Sequence, residues 1–132
     1  MSYLPPFSHL KRKLRVGASN GIQRVQMDYE DCLSFIKLLL RSVEVDETWY
    51  LEQNPDVAEA ISKGAYRSGK HHFVEEGYFE GRTPYEFKVD EEWYMRTYPD
   101  VAEGLKDGAL GSARQHFLSH GYTEGRLPSA DY

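Results

Sequence analysis

Between Asp28 and Val43 the apolar residues Cys32, Leu33, Phe35, Ile36, Leu39, Leu40 and Val43 recur at helical spacing, and Ser34, Lys37 and Arg41 fall on the opposite side. This pattern predicts an amphipathic helix over 29–43, opened by Asp28 as a cap, with Asp31 near the positive end of its dipole. Before it, two short runs, LRV and IQRVQM, flank Asn20-Gly21. Asn-Gly between such runs is a hairpin signal, although runs so short and basic fit a disordered arm equally well. Pro5-Pro6 argues against an early helix.

After position 44 the hydrophobic pattern is written twice. Residues 45–84 and 89–128 align without a gap at an offset of 44, with 21 identities in 40 positions. A duplication of fixed period points to a repeat architecture. Each copy parses into three short helices. The first follows Asp46 or Asp90 and must stop before Pro55 or Pro99. The second opens on that proline and stops near Gly64 or Gly108. The third is capped by Ser68 or Ser112, carries His72-Phe73 or His116-Phe117, and stops at Gly77 or Gly121. A turn, Glu-Gly-Arg-x-Pro, closes each copy. Helices this short need tertiary packing to persist. The expected fold is therefore all-α: a basic arm (1–27) that holds the hairpin if one forms, an amphipathic helix (28–44), repeat 1 (45–88), and repeat 2 with a short tail (89–132).

Composition adds limits. Residues 1–27 carry five basic side chains and no acid, whereas residues 28–132 carry a net charge of −10, for −5 overall. An acidic body repels nucleic acid, so a polyanion contact would have to come from Lys11, Arg12, Lys13 and Arg15 in the arm. That cluster is too short to anchor a membrane alone, and a solvated tail explains it as well. Cys32 is the single cysteine, which excludes an intrachain disulfide and a thiolate zinc cluster. The longest strongly apolar run, Leu38–Leu40, is far from a membrane span, and the start has no secretory-signal pattern. A cytoplasmic location is expected.

The residues common to both copies read W-Y-[LM]-x-x-x-P-D-V-A, then G-A, S, H-F, and G-Y-x-E-G-R-x-P. This resembles a short bacterial tandem repeat of the form YLxxNPDVAxA…G…AxxHYxxxGxxEGRxP, found beside or fused to glycosyltransferases and polysaccharide-assembly proteins. The resemblance covers about 80 residues and does not extend to the first 44. It implies an accessory module in cell-surface polysaccharide production and no reaction. Tyr98 departs from the pattern where the first copy has Asn54.

Several constellations could carry a function. Trp49, Tyr50, Trp93 and Tyr94 could stack on sugar rings, or one ring of each pair could anchor its copy. Asp56 with Arg82, and Asp100 with Arg126, recur at a separation of 26; the fork geometry of arginine suits a structural tether, the alternative being a ligand-binding arginine. His72 with Glu76, and His116 with His120, are i,i+4 pairs that could ligate a metal, against the plainer reading of packed histidines. No nucleophile–base pair stands out, Cys32 lies on an apolar helix face, and Gly17–Gly21 lacks the phosphate-loop pattern. The expectation is a non-enzymatic module without a cofactor. Its partner is a protein or a glycan, and helix 29–43 is a candidate homodimer face. A small dimeric regulator touching nucleic acid through the arm is the alternative, and a metal-dependent enzyme the least supported.

Overall fold

The computed structural model describes residues 3–132; the first two residues of the arm lie outside it. The chain forms two compact units, Met1–Tyr85 and Glu86–Tyr132. Among the described residues the first unit holds α1 (Phe7–Lys11), the antiparallel pair β1 (Val16–Ser19) and β2 (Ile22–Val25), α2 (Tyr29–Leu40), α3 (Glu47–Gln53), α4 (Pro55–Ser62) and α5 (Gly69–His72). The second unit holds α6 (Glu91–Thr97), α7 (Pro99–Lys106) and α8 (Ala113–His116). The fold is thus helix-rich and not all-α.

The arm departs from expectation at its start, and it takes the hairpin alternative after that. A short helix, α1, starts directly after Pro6, whose extended backbone serves as its N-cap. The prolines restrict the residues before them and leave the following turn free to coil. The hairpin forms, with Val16 opposite Val25 and Ser19 opposite Ile22. Asn20 and Gly21 turn it with φ of 52° and 74°, the left-handed pair that a tight two-residue hairpin requires. All eight strand residues are exposed.

Helix α2 ends at Leu40, three residues earlier than its apolar pattern predicts, because Ser42 and Val43 bond back only to the third residue before them. Its Asp28 makes no side-chain cap bond, contrary to expectation. Leu40 is buried, and Ile36 and Val43 pack on a core of Tyr50, Val57, Phe73 and Val74. Lys37 adds a 2.9 Å ion pair to Glu75. The second core is built around Tyr94, Val101, Ala113 and Phe117. There Phe87 stands edge-on to Phe117 at 5.8 Å.

The capping residues act as their types predict. Asp46 and Asp90 accept from the amides of Trp49 and Trp93, and Ser68 and Ser112 from those of His71 and Gln115. Gly64 and Gly108 stop α4 and α7 with φ of 81° and 73°. The third predicted helix of each copy is not a continuous α-helix. After His72 and His116 it widens into one π turn, Phe73–Gly77 and Phe117–Gly121, marked by i→i+5 bonds from Tyr78 to Phe73 and from Tyr122 to Phe117. The closing turns fold back on their own copy. The Asp46 amide bonds the Pro84 carbonyl and the Asp90 amide bonds that of Pro128, each at 3.0 Å.

Candidate functional site

Helix α3 places Trp49 and Tyr50 on different faces. Tyr50 is fully buried and Trp49 is half-buried; α6 does the same with Tyr94 and Trp93. The two tyrosines therefore offer no ring face to a ligand, and the stacking role expected of them is corrected: they are the core anchors. Trp49 packs at the edge of its core, and Trp93 meets Tyr98 edge-on at 6.3 Å. Each tryptophan keeps part of its surface in solvent.

The buried hydroxyl of Tyr50 is hydrogen-bonded to His72 Nδ1 at 2.9 Å, and that of Tyr94 to His116 Nδ1 at 2.9 Å. Burial pushes the Tyr50 phenol up to about 12 and raises that of Tyr94, and it pushes the His72 imidazole down. At neutral pH the Tyr50–His72 contact joins two uncharged groups, which avoids the cost of a buried charge. The π turn brings Gly77 against the Tyr50 hydroxyl and Gly121 against that of Tyr94. A Cβ at either glycine would fall well inside van der Waals contact of the hydroxyl. Tyrosine, histidine and glycine thus form one interlocked unit in each copy.

A second network surrounds Arg82. Its Nη1 donates to Asn54 Oδ1 at 2.9 Å and to Asp56 Oδ1 at 3.0 Å, its Nη2 to Asp56 Oδ2 at 2.8 Å, and its Nε to Glu80 at 2.7 Å. Arg126 repeats the bidentate grip on Asp100, at 2.9 and 2.7 Å, and the Nε bond to Glu124 at 2.7 Å. Both guanidinium groups are engaged within the chain at Nε and both Nη positions, which matches a tether and leaves them poorly placed to hold a ligand. Bonding to Arg82 holds the Asp56 carboxyl down at about 2, and Arg126 lowers that of Asp100.

The Asn54–Tyr98 difference finds its explanation here. Asn54 makes no side-chain bond to the start of α4; its Nδ2 donates back to the Tyr50 carbonyl at 2.7 Å, at the end of α3. In the second copy the Arg126 guanidinium lies over the Tyr98 ring, 4.9 Å from its centre, and the Tyr98 hydroxyl accepts from the Leu127 amide at 2.8 Å. A cation–π contact and a turn bond take the place of the amide.

The proposed metal pairs are only partly assembled. Ligand atoms of His72, Glu76 and Glu80 lie within 4.8 Å of one another. Yet Glu80 is held by Arg82, and hydrogen bonding to Glu76 raises the Tyr66 phenol. A cation entering here would compete with both. In the second unit His116 and His120 stack ring on ring, 5.7 Å apart, and no metal-ligand cluster forms there among the described residues. Lys11, Arg12, Lys13 and Arg15 are exposed, and no carboxylate pairs with them among the described residues. Cys32 is half-buried.

Sequence reasoning missed Glu47 and Glu91. The Glu47 carboxylate accepts from the amides of Gly69 and Lys70, both at 2.8 Å, and that of Glu91 from Arg114 N at 3.0 Å. The signal was available, since the Asp-Glu pair stands at the start of both copies. No helix among the described residues is long and apolar enough to cross a membrane. No family model, curated protein or solved structure matches the chain.

Two measurements test these networks. Gly77→Ala should destabilise the protein by about 3 kcal/mol through the clash with the Tyr50 hydroxyl. Tyr50→Phe should cost about 1–2 kcal/mol, and urea unfolding of the double variant should show a loss clearly smaller than the sum. Additive losses would contradict the interlock, and the Tyr94–Gly121 cycle should behave alike. The second concerns pH. His72 has a lowered folded-state pKa, so below about 6.5 the unfolded chain gains a proton that the folded chain resists. Stability should fall as pH drops through this range, and His72→Gln should flatten that limb. A separate loss should follow below about 3.8, where the unfolded chain gains protons that the folded Asp56 and Asp100 carboxyls resist, and Asp56→Asn should remove the Asp56 share of it. An unchanged profile in either variant would refute the assignment.

Proposed function

We propose that the chain is a non-enzymatic module of two tandem helical repeats, an adaptor or ligand-binding accessory in bacterial cell-surface polysaccharide production, acting in the cytoplasm. One observation carries this reading: most side chains shared by both copies are engaged inside their own copy. The caps, the tyrosine–histidine pairs and the arginine tethers serve the scaffold. Trp49 and Trp93 are shared aromatics that retain partial exposure, and they support glycan or protein contact. The repeat resemblance supplies the polysaccharide context. Leu33, Phe35 and Leu39 of α2 remain only half-buried, which supports self-association through that helix.

A screen of bacterial glycans together with a pull-down tests the proposal. Trp49→Ala and Trp93→Ala should each weaken the bound partner roughly tenfold, as loss of an interface aromatic does. Recovery of neither a sugar nor a protein partner would sink it.

A second reading, a small dimeric regulator contacting nucleic acid, is favoured by the arm's basic cluster, with which no carboxylate pairs among the described residues. Arg12, Lys13 and Arg15 join Arg41, Phe35 and Leu38 in lining a hollow of about 450 Å³, with Asp31 as the acid among its lining residues. If four phosphates are contacted, affinity for duplex DNA should drop about 100-fold between 50 and 200 mM salt. Replacing Lys11, Arg12, Lys13 and Arg15 with alanine should abolish the complex. Absence of a gel shift at low salt rejects this reading.

A further inference from the structure

The two copies present the same surface in different states. In the first unit Ser68, Lys70, His71, Val74 and Glu75 line a hollow bordered by Arg41 and Arg67, with about 230 Å³ of free space. Helix α2 packs over this side: Ile36 and Leu40 join the core that contains Val74, and Lys37 reaches Glu75. Val74 is consequently 5% exposed.

Forty-four residues on, the corresponding five positions, Ser112, Arg114, Gln115, Leu118 and Ser119, line a hollow of about 440 Å³. Leu118, the counterpart of Val74, is 46% exposed. Phe87, the counterpart of Val43, packs on Phe117 and Tyr122, but no helix of the second unit does for Leu118 what α2 does for Val74. The larger side chain at 118 adds apolar surface where the first copy has less.

The differing residues describe the occupant. Ser119 stands where Glu75 pairs with Lys37, so the second hollow has no carboxylate for a central lysine. Arg114 is drawn to Glu86 at 2.5 Å and to the Phe87 carbonyl at 3.5 Å. The surface around Leu118 therefore combines an apolar side chain with the polar Ser112, Gln115 and Ser119 and the charged Arg114, whose carboxylate partner, Glu86, is already engaged. The α2 of another copy fits it poorly, because its lysine is matched to Glu75.

We infer that the hollow around Leu118 is a docking groove for an amphipathic helix of a partner protein, one that carries apolar residues at i and i+4 and an uncharged polar residue at i+1. The inference deepens the adaptor reading, and it rests on taking the two copies as equivalent modules. A helix of α2's length would lie across the groove with two apolar side chains, one turn apart, directed at Leu118.

The probe is a labelled peptide of residues 28–45 with Lys37 replaced by Gln, stapled between positions 30 and 34, which are exposed in α2. Stapling offsets the weak helicity of a short free peptide. Titrated into the full chain, it should bind saturably by fluorescence anisotropy, and Leu118→Glu should weaken it at least tenfold. Leu118 is largely exposed, so that variant should keep the wild-type unfolding curve. Ile22→Glu, on the hairpin, should leave binding unchanged. Binding that is absent, or indifferent to Leu118→Glu, overturns the inference. So does a chain that dimerises alone and becomes monomeric with Leu118→Glu, since the occupant is then a second copy. A glycan result of either sign leaves this titration standing, and the paired tyrosine–glycine cycles report separately on module equivalence.

Discussion

The contact on which each unit depends is a single buried hydroxyl. Tyr50 and Tyr94 lie at the centres of their cores, where an unpartnered phenol would cost more than most single contacts contribute. A histidine nitrogen one helix away satisfies it, and the approach is open only because residues 77 and 121 lack a Cβ. The π turn is the backbone's part of this solution. Widening the helix by one residue after the histidine carries the glycine beside the hydroxyl while Phe73 or Phe117 remains buried. Helices of four to eight residues have little stability of their own, so this central pin supplies the order that longer helices would draw from their own hydrogen bonds.

Around the pin, polar links hold the periphery. Glu47 joins α3 to the start of α5, and Asp56 and Glu80 hold Arg82 between α4 and the closing turn. The carboxylates of this arginine network are largely solvent-exposed, so its value lies in geometry more than in energy. The replacement of Asn54 by Tyr98 illustrates this: one copy holds its arginine with an amide and the other with an aromatic face.

Much of this was legible in the sequence because it is local. Asp46, Ser68 and Pro55 act within one turn of where they stand, and their types state their roles. The Asp–Arg tether is long-range, yet its recurrence at one separation in two copies exposed it. Burial within the Trp-Tyr pair was not legible. Both rings are large, and adjacent helical residues point about 100° apart, so pattern alone leaves open which one turns inward. The π turn was hidden for a related reason: one extra residue per turn leaves no mark in composition, and its trace was a glycine five positions after a histidine. Residues 28–43 showed the opposite error, where an apolar pattern outlasted the helix because Val43 packs on the core from a turn.

The backbone bond between the first helix cap and the terminal proline, Asp46 to Pro84 and Asp90 to Pro128, brings the start and end of each copy together. A segment whose ends meet can be joined to another at one place, although each copy still draws packing from the chain before it, α2 for the first and Phe87 for the second. Insertion of another such segment at the junction, with its own counterpart of Phe87, breaks no strand pairing. Copy number is therefore a quantity that heredity can change in a single step, and each new copy is free to diverge on its outer face while its interior stays under constraint.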